Sequence, residues 1–244
     1  MTLRQRAKDL YYKAQFNASR AHLERFLREA SRSIPDGSLV LDAGAGETRY
    51  RLLFDRHHYE AADSRQSEIM DYGNIDYVCN LESIPVQDNR YDLVICTQVL
   101  EHVPHPALVL RELLRVLTPG GQLWLTAPFV FDEHMQPYDY YRYTQYGLRF
   151  LLTSTGFAVD RLERLDGYYV ALSYQLATAA RALPFSPSRY GGGVIGVLMM
   201  LAAIILKPSF LLLSLLYSRL DERYKNTASG YSKNYAAVAR KPTK

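Results

Sequence analysis

The sequence predicts an α/β fold: a doubly wound, mostly parallel sheet with helices on both faces and an apolar helical insertion before the last strand. Three observations predict it. Short apolar runs, each bounded by turn residues, recur at 39–44, 59–63, 76–80, 91–99 and 121–129. A segment of helical period separates the fourth run from the fifth, and strands that alternate with helices form parallel sheets. Residues 168–223 are then strongly apolar, and "NYAAVARKP" after them reads as one more strand.

Each element has a local reason. Residues 3–31 read as a helix because Leu3, Ala7, Leu10, Tyr11 and Ala14, then Leu23, Phe26, Leu27 and Ala30, recur at helical spacing; "IPDGS" (34–38) stops it. "LVLDAG" (39–44) is a buried strand running into a tight turn. "YEAAD" (59–63), "DYVCN" (76–80) and "YDLVICTQV" (91–99) follow as strands. In "HPALVLRELLRVLTPGG", Leu108, Leu110, Leu113, Leu114 and Leu117 make a helix that Pro119-Gly120-Gly121 ends. "GQLWLTAPF" (121–129) is the fifth strand. An aromatic loop (129–144), the helix "QYGLRFLLTSTG" and the strand "FAVDRLERL" (157–165) complete the run. This divides the chain into an N-terminal helical segment (1–37), a core (38–167), the insertion (168–223) and a returning strand with its tail (224–244).

The 244 residues, 48% hydrophobic and 22% charged, suit one globular domain with an appendage. A net charge of +4 gives no ground for a nucleic-acid partner. The basic N-terminal residues read as a solvated helix face or as attraction to an anionic surface. Cys79 and Cys96 sit in strand-like runs, as buried free thiols of a reducing compartment do. "MTLRQRAKDLYYKAQF" lacks the apolar core of a secretory leader, so the expected location is cytoplasmic.

The turn "VLDAGAGETRY" (40–50) asks which ligand it holds. Ligands of doubly wound sheets sit at the carboxyl ends of the strands. A phosphate-binding P-loop needs Gly-Lys-Ser/Thr, and none follows Gly46. A dinucleotide turn needs a third glycine where Arg49 stands, and Glu47 would repel phosphates. S-adenosylmethionine carries an ammonium and a sulfonium and no phosphate, so acids beside the turn suit it. Asp63 ends the second strand, placed to accept hydrogen bonds from both ribose hydroxyls; otherwise it caps a turn.

With "VLDAGAGETRY", "YEAAD", "CNLESIPVQDNRYDLVICTQVLEHV", "LRELLRVLTPGGQLWLTAP" and "TSTGF", the sequence resembles the class I S-adenosylmethionine-dependent methyltransferases of the type-11-like group, over residues 38 to about 165. The resemblance implies a Rossmann-like methyltransferase core. It implies that Asp42, Gly44 and Gly46 form the turn around the methionine end, and that Asp63 holds the ribose. Asn80 and Leu81 would lie beside the adenine, and Thr97 and Gln98 would border the methyl group. Thr48 and Asn80 depart from the family's third glycine and its acid.

Methyl transfer needs an aligned acceptor and, for a hydroxyl, a base. His102 in "LEHVPHP" and His134 are the base candidates, although His102 also suits a structural role, and Glu101 has the same two readings. Metal-spaced histidine clusters and CxxC pairs are absent, so no metal site is expected. Tyr138, Asp139 and Arg142, in the aromatic loop after the fifth strand, are the substrate candidates. The other reading of that loop is a tyrosine-rich lid with Asp139 paired to Arg142. "PYDYYRYT" resembles methyltransferases among cell-surface glycan enzymes, which implies a glycan or lipid-linked acceptor by analogy. The alternatives are a small quinone or hydroxy-aromatic acceptor, and a non-catalytic module that binds the cofactor.

The insertion holds 13 uncharged residues, "VIGVLMMLAAIIL" (194–206), then Lys207-Pro208 and "FLLLSLLY" (210–217). A lysine at mid-membrane costs about 3 kcal/mol. Thirteen residues of helix rise only about 20 Å against a bilayer core of about 30 Å. If 234–242 returns to the sheet, one crossing is excluded. The expectation is a helical hairpin lying on a membrane face rather than crossing it, or a soluble helical subdomain.

Overall fold

The structure, a computed structural model, describes residues 18–66 and 71–243. The first half of the expected N-terminal helix lies outside the described residues. The chain divides into two compact units: residues 22–165 with 233–243, and residues 18–21 with 166–232.

The larger unit is a seven-stranded sheet. Its strands are β1 Leu39–Ala43, β2 His58–Asp63, β3 Tyr77–Val78, β4 Tyr91–Thr97, β5 Leu117–Pro128, β6 Ala158–Arg164 and β7 Asn234–Arg240, in the order β3-β2-β1-β4-β5-β7-β6. Pairing is parallel from β3 through β5, and β7 runs antiparallel between β5 and β6. The order turns back at β1 and β4, so a crevice opens where their carboxyl ends diverge. Three further helices belong to this unit: α1 Ala18–Arg32 from residue 22 onward, α2 Pro106–Val116 and α3 Gln145–Ser154.

Both faces are covered, which explains the continuous apolar runs. Leu23, Phe26, Leu27 and Ala30 of α1 fall on one stripe and pack on Val40, Leu93, Ile95 and Trp124. The Phe26 and Trp124 rings lie 4.7 Å apart. On the other face, Val109, Leu110 and Leu113 of α2 and Leu148 and Leu152 of α3 pack on Leu41, Val94 and Leu125. Ala236, Ala237 and Ala239 let β7 enter a crowded sheet, where each is at most 1% exposed.

Three local readings are corrected. The predicted α2 ends at Val116, and β5 begins at Leu117, ahead of the Pro-Gly-Gly stretch. Tyr91 pairs with Leu117, and the register then shifts to Leu93–Gln122, so Thr118–Gly121 form an irregular start to the strand. β3 keeps only Tyr77 and Val78 of the five predicted residues. β4 stops at Thr97, because Gln98 takes φ +56° and turns the chain out of the strand.

The smaller unit is a helical hairpin of α4 Tyr168–Ala182 and α5 Gly193–Arg223. The Ser173 hydroxyl donates to Ser214 O at 2.7 Å and the Ser214 hydroxyl to Ser173 O at 2.9 Å. The expected break at Lys207-Pro208 does not occur: α5 is one 31-residue helix with Pro208 inside it. Proline removes the bond to Ile204 O, while the Ser209 hydroxyl donates to Ile205 O. Lys207 is also accommodated, its ammonium bonded to Leu183 O at 3.0 Å and 4.1 Å from the Phe185 ring centroid. The two short runs thus form a single helix, long and apolar enough to cross a membrane: an 18-residue window within it has mean hydropathy 2.3 and is only 11% buried. Length therefore does not exclude a crossing by this helix. β7 is a sheet strand, and the Leu165 N–H donates to Asn234 O at 2.9 Å, so both ends of the insertion leave the same sheet edge.

Candidate active site

The turn after β1 is held by main-chain bonds. Gly44 N–H donates to Ala62 O at 2.8 Å, and Thr48 N–H donates to Ala45 O at 2.8 Å. Gly44 has φ +82° and Gly46 φ +50°, a region that glycine enters without strain. Thr48, where a glycine would be easier, also sits at φ +50°. A glycine not singled out from the sequence completes the turn: a Cβ on Gly73 would lie 2.0 Å from Thr48 Oγ1 and 2.6 Å from Glu47 O. Only the fold brings these segments together, and a lone glycine 25 residues on gives no local signal.

Beside this turn lies a cleft of about 520 Å³, lined by Gly44, Gly46, Asp63, Asn80, Leu81 and Gln98, with Val99, His102 and Met135 toward one end. Asp63 Oδ2 accepts from the Gly46 N–H at 2.9 Å and Oδ1 from the Arg65 N–H at 2.8 Å, so the carboxylate ties the two loops and keeps further lone pairs for a ligand. Asn80 Oδ1 accepts from the Glu82 N–H at 3.0 Å, an Asx turn that fixes the loop. Leu81 is 5% exposed and forms an apolar wall. Gln98 holds its strained φ with Nε2 donating to Thr126 Oγ1 at 3.1 Å.

Other residues singled out from the sequence lie elsewhere. Asp42 is buried, accepts the Tyr59 hydroxyl, and is not in the cleft lining; burial pushes its pKa up to about 7. It braces β1 against β2 underneath the turn. Thr97 ends β4 opposite Thr126 and is not in the lining. Glu47 is paired with Arg49 rather than directed into the cleft.

The cleft fits S-adenosylmethionine and argues against a phosphorylated cofactor. No lysine or arginine lines it among the described residues, and Asp63 carries its one carboxylate. A pyrophosphate would meet that charge with nothing to offset it, whereas a cationic ligand with a ribose would not.

At the far end, the 3-10 turn Leu100–His102 follows β4 and the 129–144 loop follows β5. The His102 and His134 rings meet edge-on, with centroids 4.6 Å apart. His102 Nδ1 donates to Tyr138 O at 2.7 Å, and burial lowers its pKa. His134 Nδ1 faces Asp132 O at 3.2 Å and Asp139 Oδ2 at 3.3 Å. Glu101 is fully buried, which pushes its pKa up to about 8.

Asp139 and Arg142 are paired with each other in a two-bond fork of 2.7 Å each, as the lid reading requires. The remaining Arg142 donors reach Phe131 O, Asp132 O and Tyr141 O. Tyr138 takes part through its main chain, which accepts from His102.

Residues 41–125 match the family model described as a methyltransferase domain. The curated relatives include the Vibrio vulnificus ubiquinone/menaquinone biosynthesis C-methyltransferase UbiE, 32% identical over 49% of this chain and 53% of that one. They also include the Caenorhabditis elegans mitochondrial 2-methoxy-6-polyprenyl-1,4-benzoquinol methylase, 37% identical over 45% of each. The chain spans about half the length of these relatives, or less. Among solved structures, Haemonchus contortus phosphoethanolamine N-methyltransferase 2 in complex with S-adenosyl-L-methionine matches at TM-score 0.51 and 17% identity, over 93% of this chain and 53% of that one. The cyclase SpnF matches at TM-score 0.51 and 18% identity, over 91% and 81%. A named cyclase shares the fold to the same degree, so the fold alone does not fix the reaction. Strand order, the Asp63 cleft and the match agree: residues 41–125 match a methyltransferase domain, in a fold that S-adenosylmethionine-binding methyltransferases share.

Proposed function

We propose that the protein transfers the methyl group of S-adenosylmethionine to a hydroxylated ring of the quinol type. The observation that carries the cofactor half is the cleft beside the β1 turn, with Asp63 as its carboxylate and no basic lining residue among those described. In this reading Asp63 holds the ribose hydroxyls, Asn80 and Leu81 take the adenine, and the Gly44–Gly46 turn takes the methionine end. Gln98 borders the methyl group, and Asp42 and Thr97 support from beneath.

The cofactor supplies an electrophilic methyl on sulfur. The chain positions the acceptor and receives its proton. His102 Nδ1 already donates to Tyr138 O, so Nε2 holds the free lone pair, and burial keeps the ring neutral. Nε2 takes the ring hydroxyl's proton. The acceptor would then be held as a phenolate, whose oxygen, or whose ring carbon with later loss of the ring proton to solvent, would take the methyl group that the bound cofactor supplies. His134, edge-on to His102, limits the ring's approach.

The quinol acceptor is favoured over the glycan by two observations. Two relatives are named for quinone or benzoquinol methylation. The Asp139–Arg142 fork expected to meet sugar hydroxyls is closed on itself. With labelled cofactor, the protein should methylate a prenylated hydroquinone and leave polysaccharide extracts unlabelled; the opposite pattern restores the glycan. Asp63→Ala should weaken cofactor binding by about 1.5–3 kcal/mol, the loss expected for hydrogen bonds to a charged acceptor. Unchanged calorimetric affinity removes Asp63 from the ribose.

A prenylated acceptor resides in lipid, and α5 offers a means of reaching it. Val194 (77% exposed), Ile195 and Ile205 project from an uncharged stretch. With both ends of the insertion leaving one sheet edge, and α4 only 15 residues long, the hairpin enters one face of the membrane and does not cross it. The expected location is the cytoplasmic face. Ile195→Glu combined with Ile205→Glu should abolish flotation with liposomes while leaving cofactor affinity unchanged, since a charge in hydrocarbon costs about 3 kcal/mol. A variant that still floats excludes this helix as the anchor.

A further inference from the structure

We infer that Glu101, His102 and His134 form a binding site for a first-row divalent metal ion at the acceptor end of the cleft. The ligand atoms of the three residues lie within 4.8 Å of one another. The inference rests on the methyl-transfer reading only for what the ion would do there; the site itself stands on the geometry of these side chains.

Three observations build it. First, Glu101 is 0% exposed, and neither carboxylate oxygen has a hydrogen-bond partner among the described groups beyond the pull of its own main-chain N–H. A buried, unpartnered carboxylate is costly, and most such groups in folded proteins are found paired or coordinating a metal. Oε1 points toward His102, 3.8 Å from Nε2.

Second, the Nδ1 atom of each imidazole faces acceptors, which sets the tautomer. His102 Nδ1 reaches Tyr138 O at 2.7 Å, and a carbonyl can only accept, so Nδ1 carries the proton. His134 Nδ1 faces Asp132 O and the Asp139 carboxylate, which also only accept. Each ring therefore keeps its lone pair on Nε2. A proton donated from one nitrogen to a carbonyl or carboxylate, with the other nitrogen free, is the arrangement that orients metal-binding histidines.

Third, the support beneath His134 is rigid. Asp139 Oδ2 accepts the His134 main-chain N–H at 2.8 Å while the Arg142 fork holds the same carboxylate. Asp139 is thus a positioning residue for the ligand and makes no contact with the ion.

Metal–nitrogen and metal–oxygen distances of about 2.0–2.2 Å bring ligand atoms to about 3–3.5 Å. The separations of 3.8 Å and at most 4.8 Å close with side-chain shifts of about 1 Å. Two imidazoles and one carboxylate suit zinc, manganese or iron(II) and leave coordination positions open. His102 and Met135 line the cleft, so those positions are accessible to an acceptor oxygen. With the ion bound, the His102 lone pair would be taken up by ligation, and a ring hydroxyl on an open position would be acidified and give its proton to solvent; in the metal-free protein the same lone pair stays free to act as the base. No spacing in the sequence announces the site, because its third ligand lies on a different loop 32 residues after His102.

The test uses the full chain, purified and stripped with chelator, then titrated with manganese(II) under paramagnetic resonance and with zinc(II) by calorimetry. One ion per chain is expected. Glu101→Gln and His134→Asn should each weaken binding at least 100-fold, and Asp139→Asn by about 10–100-fold, the range seen for groups that orient a metal ligand. S-adenosylmethionine affinity, measured on the same samples, reports whether each variant is folded and whether the cofactor reading holds. Cofactor binding without a stoichiometric ion in the parent protein overturns the site. So does an ion whose affinity is unchanged in folded Glu101→Gln and His134→Asn. Chelator-resistant methylation of a prenylated hydroquinone by metal-free protein returns His102 to the role of base.

Discussion

Gly44→Ala is expected to destabilise the protein by about 3 kcal/mol and to abolish measurable cofactor binding. Two independent costs act at this position. The backbone sits at φ +82°, where a residue with a Cβ is strained by about 1–2 kcal/mol. The added carbon would also lie 2.3 Å from Val99 Cγ2, 2.8 Å from Cγ1 and 3.2 Å from Cβ. Valine cannot swing away as a long side chain would, because its branch is at Cβ and its χ1 is restricted. The clash is therefore relieved by moving backbone, at an overpacking cost of about 1–3 kcal/mol. The backbone that moves carries Gly46, whose N–H is bonded to Asp63, and Val99, which follows Gln98 in the cleft wall. Denaturant midpoints measure the first effect and calorimetry with S-adenosylmethionine the second. Wild-type stability in this variant would show that the turn is not packed on Val99.

The same pair explains what was legible in the sequence. The Gly44–Gly46 turn and Asp63 were readable because each is fixed by a local pattern, an apolar run ending in a turn signal, at the spacing of two successive parallel strands. Val99 could be placed near the end of β4, but nothing local told that it presses on Gly44. Gly73 was unreadable for the same reason, since its neighbours Glu47 and Thr48 reach it only through the fold. Asp42 shows the converse. It sits in the motif, yet the strand pleat turns its side chain away from the cleft and under Tyr59.

Two of the element boundaries that differed from expectation involve a residue whose usual meaning was overridden. Pro119-Gly120-Gly121 ordinarily separates a helix from a strand. Here the strand already begins at Leu117, and the glycines lie within its irregular start. Pro208 ordinarily ends a helix, at a cost of about 3 kcal/mol in its interior. In α5 the helix continues because Ser209 recovers a carbonyl bond one position on and Lys207 is anchored to Leu183 O and Phe185. Those compensations are tertiary or side-chain specific, so the sequence at Lys207-Pro208 reads as a break where one helix runs on.

Arg142→Ala is expected to cost about 3 kcal/mol of stability and to suppress turnover while cofactor affinity stays within about threefold of the parent. The Asp139 side chain is 3% exposed, and its partner is 24% exposed. Removing the guanidinium leaves a buried carboxylate uncompensated, which costs about 3–5 kcal/mol in full burial and less here because one partner is partly solvated. It also frees Phe131 O, Asp132 O and Tyr141 O, so the loop loses the bonds that set its path. The pH dependence has a definite sign. Arg142 holds the Asp139 carboxyl well below the usual carboxylate range, so the stabilisation is fully present above the unfolded value of about 4. It is lost as pH falls below that value. The stability gap between parent and variant should therefore be constant from about pH 5 to 8 and narrow below about pH 4. Cofactor affinity is expected to persist because Gly46, Asp63, Asn80 and Leu81 lie at or just beyond the carboxyl ends of β1, β2 and β3, and this loop gives the cleft lining Met135 alone among the described residues. Turnover falls because Asp139 no longer holds His134. Arg142→Lys should not restore it, since a single ammonium cannot make the paired bonds of the fork. If Arg142→Ala keeps both stability and turnover, the Asp139–Arg142 pair does not organise the acceptor end. If cofactor binding is lost with them, the loop supports the whole cleft rather than one end of it.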